Sequence, residues 1–218
     1  IENVQLLIRR CFKVFDMAHS LSVTPEAVFH STYDTIKEFK DDNVIYLELR
    51  STPRAVQGKM TKEECVEAII KAFEVCKTDF PSILLKLLIS VNREQGYKEA
   101  KENIELAIDF IKKYPQYIVG LDLSGDPMTG STFLELLEKA RMAGLKIAIH
   151  CAETDDKGVF HTSLSREYEI ASSTFGLEPE QLIKLCLSSV QYAFATLEEK
   201  QTILCKIKKF AKEHNVAH

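Results

Sequence analysis

Residues 83–91 read ILLKLLISV, an apolar run interrupted only by one lysine and one serine. A short, nearly continuous apolar run is typical of a strand that is covered on both faces, as strands of parallel sheets are. Runs of the same kind occupy residues 44–49 (VIYLEL), 117–123 (YIVGLDL) and 145–151 (LKIAIHC). The sequence therefore predicts four parallel strands.

Helical patterns fill the stretches between these strands. Thr61 to Glu64 read TKEE, a capping-box sequence, and the helix that it opens is predicted to run to about residue 77. Pro25 directly after Thr24 predicts another helix start. Apolar residues recur three and four positions apart in five further segments, at 97–113, 131–142, 165–175, 178–194 and 197–213. Strands that alternate with helices predict an α/β fold, followed after residue 160 by helices alone.

The number of strands leaves two α/β architectures open. A closed (β/α)8 barrel needs eight strands, whereas a doubly wound sheet can be built from four. No G-x-G-x-x-G follows the first strand and no P-loop sequence occurs, so dinucleotide-binding and NTPase functions lose their main support. The sequence has no low-complexity segment or evident linker, and residues 1–218 are predicted to form a single domain.

The composition argues against several kinds of partner. A net charge of -4 without a concentrated basic face gives no electrostatic case for nucleic acid. Neither an apolar run of about 18 residues nor a signal peptide occurs, so we expect no membrane span and no secretion. The 6 cysteines form no C-x-x-C pair and most lie in apolar patterns, which predicts free thiols and a cytoplasmic location.

Polar residues follow the apolar body of every predicted strand. In parallel α/β proteins, ligands meet the carboxyl ends of the strands, which lie along one edge of the sheet. The four strand ends deliver Glu48, Arg50, Ser51, Thr52, Pro53 and Arg54; Asn92 and Arg93; Asp122, Ser124, Gly125 and Asp126; and His150, Glu153, Asp155 and Asp156. A single polar strand end is an ordinary turn, but four of them favour a shared polar site.

The fourth strand end is the densest in groups for acid–base and metal chemistry. His150 is a candidate zinc ligand, although a lone histidine at a strand end is more often a structural residue. Glu153 can act as a general acid or base where its surroundings bring its pKa toward neutrality, and alone it is more often a turn residue. A catalytic zinc takes three protein ligands, and no H-x-H or H-E-x-x-H sequence occurs. Spacing alone therefore leaves the metal site incomplete.

Four segments together resemble a known family, namely YLELRSTPR at 46–54, GLDLSGDP at 120–127, IAIHCAE at 147–153 and TDDKGVF at 154–160. They are similar to the adenosine deaminase family, and within it to the branch that removes the N6 substituent of N6-methyl-AMP. The resemblance implies a (β/α)8 TIM barrel, incomplete in this chain, with one Zn²⁺ per site. It also implies a monomer that hydrolyses a purine nucleoside monophosphate to IMP and an amine.

The resemblance also assigns roles to single residues. His150 and Asp155 correspond to metal ligands, and Glu153 corresponds to the glutamate that protonates the purine ring. Asp156 corresponds to an aspartate that holds the purine, and Gly125 to a glycine whose backbone approaches the base. The other substrate-binding residues that it implies are His19, Ser51, Thr52, Pro53, Arg54 and Asn92.

For two of these substrate-binding residues, the residue type bears on the expected role. Arg54 is the expected phosphate reader, because the fork of a guanidinium group matches the oxygens of a phosphate. Asn92 stands where this branch tends to have aspartate, which makes its role less defined than that of Arg54.

The chain departs from the family pattern in two places. The family's H-x-H pair would precede Ile1, and only Thr154 separates Glu153 from Asp155, where the family has a long stretch with further strands and a histidine. The explanations left open are a shortened splice form, a sequence that omits residues of the polypeptide, and a shortened relative without catalysis that binds a nucleotide or another protein. A different metal-dependent barrel hydrolase is a further alternative. If the peptide is continuous, we expect no stable zinc site, negligible turnover and exposed sheet edges that promote self-association.

Overall fold

The computed structural model describes residues 20–125, 130–149 and 163–216. The elements in chain order are α1 (Pro25–Asp41), β1 (Tyr46–Ser51), α2 (Lys62–Asp79), β2 (Leu84–Asn92), α3 (Gly96–Lys113), β3 (Ile118–Ser124), α4 (Leu134–Met142), β4 (Lys146–Ile149), α5 (Leu164–Phe175), α6 (Pro179–Ser189) and α7 (Leu197–Glu213). The predicted alternation of strands and helices is confirmed. None of these described helices is long and apolar enough to cross a membrane.

The strands form one parallel sheet in the order β1-β2-β3-β4. Ser51, the last residue of β1, pairs with Ile89, and Asn92 at the end of β2 pairs with Ser124 at the end of β3. Because the strands run in one direction, their carboxyl ends lie along the same edge. In the described part of the chain, the sheet has 4 of the eight strands that close a (β/α)8 barrel. The predicted incomplete barrel agrees with this arrangement.

The main hydrophobic core joins the sheet to the helices that follow β1, β2 and β3. Phe73 of α2, Ile104 of α3 and Leu137 of α4 are buried in one cluster with the strand residues Leu87 and Leu121. Each such side chain stabilises the fold by about 1.5–3 kcal/mol relative to its exposed state. The apolar runs of the sequence are therefore the strand faces that these helices cover.

Local sequence signals determine where most helices begin. Thr24 accepts a backbone hydrogen bond of 3.2 Å at the start of α1, and Thr61 and Glu64 cap α2 reciprocally, as the sequence predicts. The helix predicted from residue 131 begins only after Phe133, whose backbone is left-handed with a φ of 50°. A residue in that conformation cannot continue a right-handed helix, so α4 is shorter than its apolar pattern.

The helix predicted over residues 178–194 ends at Ser189, and this prediction is wrong for the last turn. The backbone N–H of Phe194 donates a hydrogen bond to the carboxylate of Glu48, and the Phe194 carbonyl accepts one of 2.7 Å from Lys146 Nζ. These contacts with β1 and β4 satisfy backbone groups that a longer α6 would have satisfied itself. Tertiary contacts thus override the helical pattern between α6 and α7.

The segment before α7 and the first turn of α7 contact all four strands. The strand residues in these contacts are Glu48, Lys86, Gly120 and Lys146, which we call the sheet floor. Lys86 Nζ lies 2.6 Å from Glu199 Oε1 and 2.9 Å from the Gln116 carbonyl oxygen. A Cβ at Gly120 would lie 3.1 Å from Phe194 Cε2, so glycine leaves the space that this ring uses. The lysine that interrupts ILLKLLISV therefore forms an ion pair with the first turn of α7. The sequence did not indicate this contact.

Candidate functional site

Most described residues of the predicted site lie where β1, β2 and β3 end. Ser51 is the last residue of β1, Asn92 is the last of β2, and Gly125 directly follows β3. Thr52 and Pro53 follow Ser51, and Pro53 is buried. The structure thus brings three separate sequence segments to one edge of the sheet.

Arg54 is held by the segment that precedes α1. Its guanidinium group donates hydrogen bonds to the carbonyl oxygen and the hydroxyl oxygen of Ser22, the latter at 3.2 Å. Burial raises the pKa of the Cys65 thiol in α2, and a hydrogen bond from the Arg54 backbone partly offsets this effect. Arg54 therefore links the end of β1 to two neighbouring segments, at the carboxyl edge of the sheet.

A buried polar network lies beneath this edge. The Ser90 hydroxyl donates to Asp122 Oδ2 at 2.8 Å, and the hydroxyl oxygens of Ser90 and Ser124 are also 2.8 Å apart. Ser90 and Asp122 are directly paired in the sheet register, and only 3% and 1% of their surfaces are exposed. The apolar runs predicted Asp122 and Ser124 at a strand end but did not indicate Ser90. The sequence signal for Ser90 was a polar residue near the end of the apolar run ILLKLLISV. In the structure this serine pairs with an aspartate of β3.

Asn92 forms a turn after β2. Its Oδ1 accepts a hydrogen bond of 2.8 Å from the Glu94 N–H, and its carbonyl oxygen accepts one of 3.2 Å from the Gln95 N–H. A Cβ at Gly125, whose φ is 89°, would lie 3.1 Å from Asn92 Cγ. Asn92 and Gly125 are therefore in direct packing contact, and the contact requires a residue without a side chain after β3.

The predicted metal and acid–base residues His150, Glu153, Asp155 and Asp156 lie outside the described residues, as does His19. Within residues 20–125, 130–149 and 163–216, no group of three or more histidine, cysteine, aspartate or glutamate side chains is arranged to hold a metal ion. His150 and Asp155 have donor atoms that suit zinc, and together they would supply two of the three protein ligands that a catalytic zinc takes.

Comparison with known proteins defines the class of this α/β chain. The profile of the family described as Adenosine deaminase matches residues 5–154, well over half of the chain. The chain belongs to the adenosine deaminase family. By that membership it is an aminohydrolase that acts on a purine amino group.

Similar proteins come from animals and plants. An N6-Methyl-AMP deaminase-L of Xenopus laevis is 31% identical over 274 residues, covering 90% of this chain and 79% of the relative. The N6-Methyl-AMP deaminase of Homo sapiens is 32% identical over 272 residues, with 87% and 77% covered. The crystal structure of Arabidopsis ADAL complexed with IMP superposes with a TM-score of 0.85 at 26% identity, covering 95% of this chain and 84% of the other.

The alignments also bear on the proposed gap in the sequence. Each of the two alignments runs over more residues than the 218 of this chain, so both relatives have residues in the aligned region that this chain lacks. The family match ends at Thr154, the single residue between Glu153 and Asp155. Both observations agree with a segment missing at this point.

Proposed function

We propose that the protein binds a purine nucleoside monophosphate such as N6-methyl-AMP at the carboxyl ends of β1, β2 and β3, and deaminates it hydrolytically to IMP. The observation that carries this proposal is the contact between Asn92 and Gly125 at the ends of β2 and β3, with the segment of Arg54 following the end of β1 at the same edge. Each of these residues has a counterpart in the substrate-binding segments that the family resemblance implies. The relative crystallised with IMP supports a nucleotide as the ligand.

The phosphate end of the nucleotide is assigned to Arg54. A guanidinium group matches the geometry of phosphate oxygens and keeps its charge at any physiological pH. Ser22 holds the Arg54 side chain through two oxygens, which limits the conformational entropy that binding would cost. Arg54 is thereby preorganised for an anion beside the end of β1.

The purine end is assigned to the segment after β3. Gly125 has a positive φ and Asn92 occupies the place of its missing side chain, so the purine would meet the backbone of this residue. The Ser90–Asp122–Ser124 network lies directly before this residue and fixes the end of β3. A rigid strand end supports a defined position for the base.

The reaction adds water across the N1–C6 bond of the purine and then releases the amine. The water oxygen bonds to C6, the C6–N6 bond breaks, and the leaving nitrogen takes up a proton to depart as the amine. By the family resemblance, Glu153 delivers a proton to the purine ring, and Asp156 contacts the purine. The resemblance also implies one Zn²⁺, which His150 and Asp155 would help to hold and which would make the attacking water more nucleophilic.

A second candidate function is nucleotide binding without turnover. The observation that favours it is the single residue between Glu153 and Asp155, where the family has a long stretch with a further histidine. In this form the protein would retain the phosphate and base contacts of β1 to β3. The predicted cytoplasmic location applies to both candidates.

Three measurements on the purified chain separate the candidates. Intact mass spectrometry establishes whether the polypeptide has the 24.8 kDa of this sequence. Calorimetry then measures IMP binding, and a coupled assay measures N6-methyl-AMP turnover with and without added Zn²⁺. IMP binding with zinc-dependent turnover supports deamination, whereas IMP binding without turnover at a mass of 24.8 kDa supports the binding function. A chain that binds no nucleoside monophosphate contradicts both.

A further inference from the structure

The turn after β2 contacts both described ends of the segment that connects β3 to α4. The backbone N–H of Arg93 donates to the Ser124 carbonyl oxygen at 2.9 Å, and the Arg93 carbonyl accepts from the Ser131 N–H at 3.1 Å. One residue therefore pairs with positions seven apart in the chain, before and after Gly125. Arg93 is 6% exposed, so these hydrogen bonds are shielded from water.

Gly125 and Gly130, on either side of residues 126–129, both lie against this turn. A Cβ at Gly125 would lie 3.1 Å from Asn92 Cγ and 3.2 Å from the Arg93 nitrogen. A Cβ at Gly130 would lie 2.7 Å from the carbonyl carbon of Arg93 and 2.8 Å from its oxygen. Backbone atoms cannot move away as the end of a flexible side chain can. A side chain at Gly130 would therefore push the backbone of Gly130 away from Arg93.

The turn itself is held in one conformation. Asn92 Oδ1 accepts from the Glu94 N–H at 2.8 Å, and the Asn92 carbonyl accepts from the Gln95 N–H at 3.2 Å. An asparagine that bonds to the backbone two residues later forms a compact turn without help from the rest of the fold. The turn after β2 is thus a fixed surface against which the glycines lie.

We propose that Asn92, Arg93 and Gly130 form a clamp that positions Gly125 for the purine nucleotide. We call these three residues the glycine clamp. They are positioning residues, because they set where the Gly125 backbone lies and Gly130 need not touch the ligand itself. The inference rests on the proposed function, since it concerns the purine-facing residue of the same site.

The glycine clamp predicts that one added methyl group weakens nucleotide binding. Gly130→Ala is expected to lower the affinity for IMP by about tenfold or more, because displacements near 1 Å impair productive binding strongly. Gly176→Ala is the matched control: Gly176 caps α5 with a φ of 63°, and a Cβ added there would have no neighbouring atom within 4 Å. The control loses stability through its left-handed backbone and should keep the wild-type affinity for IMP.

Two further readouts separate positioning from general loss of stability. Hydrogen exchange measured by NMR should show that the Ser131 amide loses protection in Gly130→Ala but not in Gly176→Ala. Asn92→Ala removes the oxygen that accepts from the Glu94 N–H, so the Glu94 amide should lose protection and the affinity for IMP should fall.

The outcomes distinguish this inference from the proposed function. A wild-type chain that binds neither IMP nor AMP overturns the proposed function, and the positioning role falls with it. A wild-type chain that binds IMP while Gly130→Ala binds it equally well overturns the glycine clamp alone. Lower IMP affinity in Gly130→Ala with unchanged Ser131 exchange also overturns it, because the loss would then arise elsewhere.

Discussion

Arg54 shows how one charged residue gains a defined position from distant parts of the chain. The sequence places it just after β1 and beside a proline, in a segment that resembles a substrate-binding motif. The structure adds Ser22, which lies 32 residues earlier and accepts hydrogen bonds from the guanidinium group. Its predicted role as phosphate reader stays a prediction, and the difference between nucleotide and nucleoside binding tests it directly.

Replacing Arg54 should affect only ligands that carry a phosphate. Arg54→Gln is expected to weaken IMP binding about 10- to 100-fold, since a hydrogen bond to a charged group contributes about 1.5–3 kcal/mol. Binding of inosine, which lacks the phosphate, should stay unchanged. Isothermal titration calorimetry with both ligands measures the ratio.

The control for this substitution is Arg141→Gln. Arg141 is exposed on α4 and pairs with Glu138 of the same helix at 2.6 Å. Arg141→Gln should leave the affinities for IMP and for inosine unchanged. Equal losses of IMP and inosine binding in Arg54→Gln would show that Arg54 supports the fold of the site and does not read the phosphate.

At the scale of the elements, an ion pair between Lys86 and Glu199 contributes to the attachment of α7 to the sheet, beside the apolar packing of Ile203. The Lys86 side chain in β2 is 6% exposed and the Glu199 side chain in α7 is 24% exposed. Burial alone would raise the pKa of Glu199, but hydrogen bonds from Lys86 and from the Thr196 backbone outweigh it, so the pKa lies below its ordinary value. The same carboxylate closes the capping box of α7, so helix start and docking depend on one group.

Removing one partner of this pair should destabilise the protein strongly. Lys86→Met leaves Glu199 partly buried without its cation and is expected to lower the free energy of unfolding by about 3 kcal/mol. Urea denaturation followed by circular dichroism measures this loss. Lys113→Met is the matched control, because Lys113 and Glu67 are exposed and their pair should contribute less than about 1 kcal/mol.

The pH dependence of the same pair has a defined sign. Because the folded-state pKa of Glu199 is lowered, its stabilising effect is present above the ordinary carboxyl pKa of 4.5 and is lost as the pH falls through the lower folded-state value. The difference in unfolding free energy between wild type and Lys86→Met should therefore narrow below pH 4.5. A difference that stays constant as the pH is lowered to about 3 would show that the ionised pair is not its source.

At the scale of the whole molecule, apolar groups lie exposed around an open sheet. Among the described residues, β4 pairs only with β3, and Ile149 at its end is 57% exposed. Helix α5 has no buried residue, and its Phe175 is 74% exposed. Exposed strand edges and apolar patches of this kind promote association between copies of a chain.

A polypeptide of 24.8 kDa with this sequence is expected to self-associate. Size-exclusion chromatography with light scattering should give a mass above that of the monomer predicted from the family resemblance. Ile149→Lys should shift the mass toward the monomer, because a charged residue on an edge strand opposes pairing with another strand. Leu134→Lys, at a site 73% exposed on α4, is the control and should leave the mass unchanged. A monodisperse monomer of the unaltered chain would contradict the prediction.

Much of the fold was predictable because its signals are local. Continuous apolar runs predicted the four parallel strands, and the capping residues Thr24 and Thr61 predicted two helix starts. Motifs at the strand ends predicted the family, which the match over residues 5–154 confirms. Each of these signals depends on residues close together in the chain, whose backbone preferences and periodicity do not need the rest of the fold.

Only the tertiary structure decided which polar groups meet. Lys86 and Glu199 are 113 residues apart, and the end of α6 is determined by contacts of Phe194 with two strands. The sheet register pairs Ser90 with Asp122, and the glycine clamp arises where two loops come together. Hydrogen bonds of this kind depend on the relative position of whole elements, and no local pattern specifies that position. The sequence by itself thus determined the strands, most helix starts and the family. The packing of the sheet determined which groups meet in the sheet floor and which residues contact Gly125.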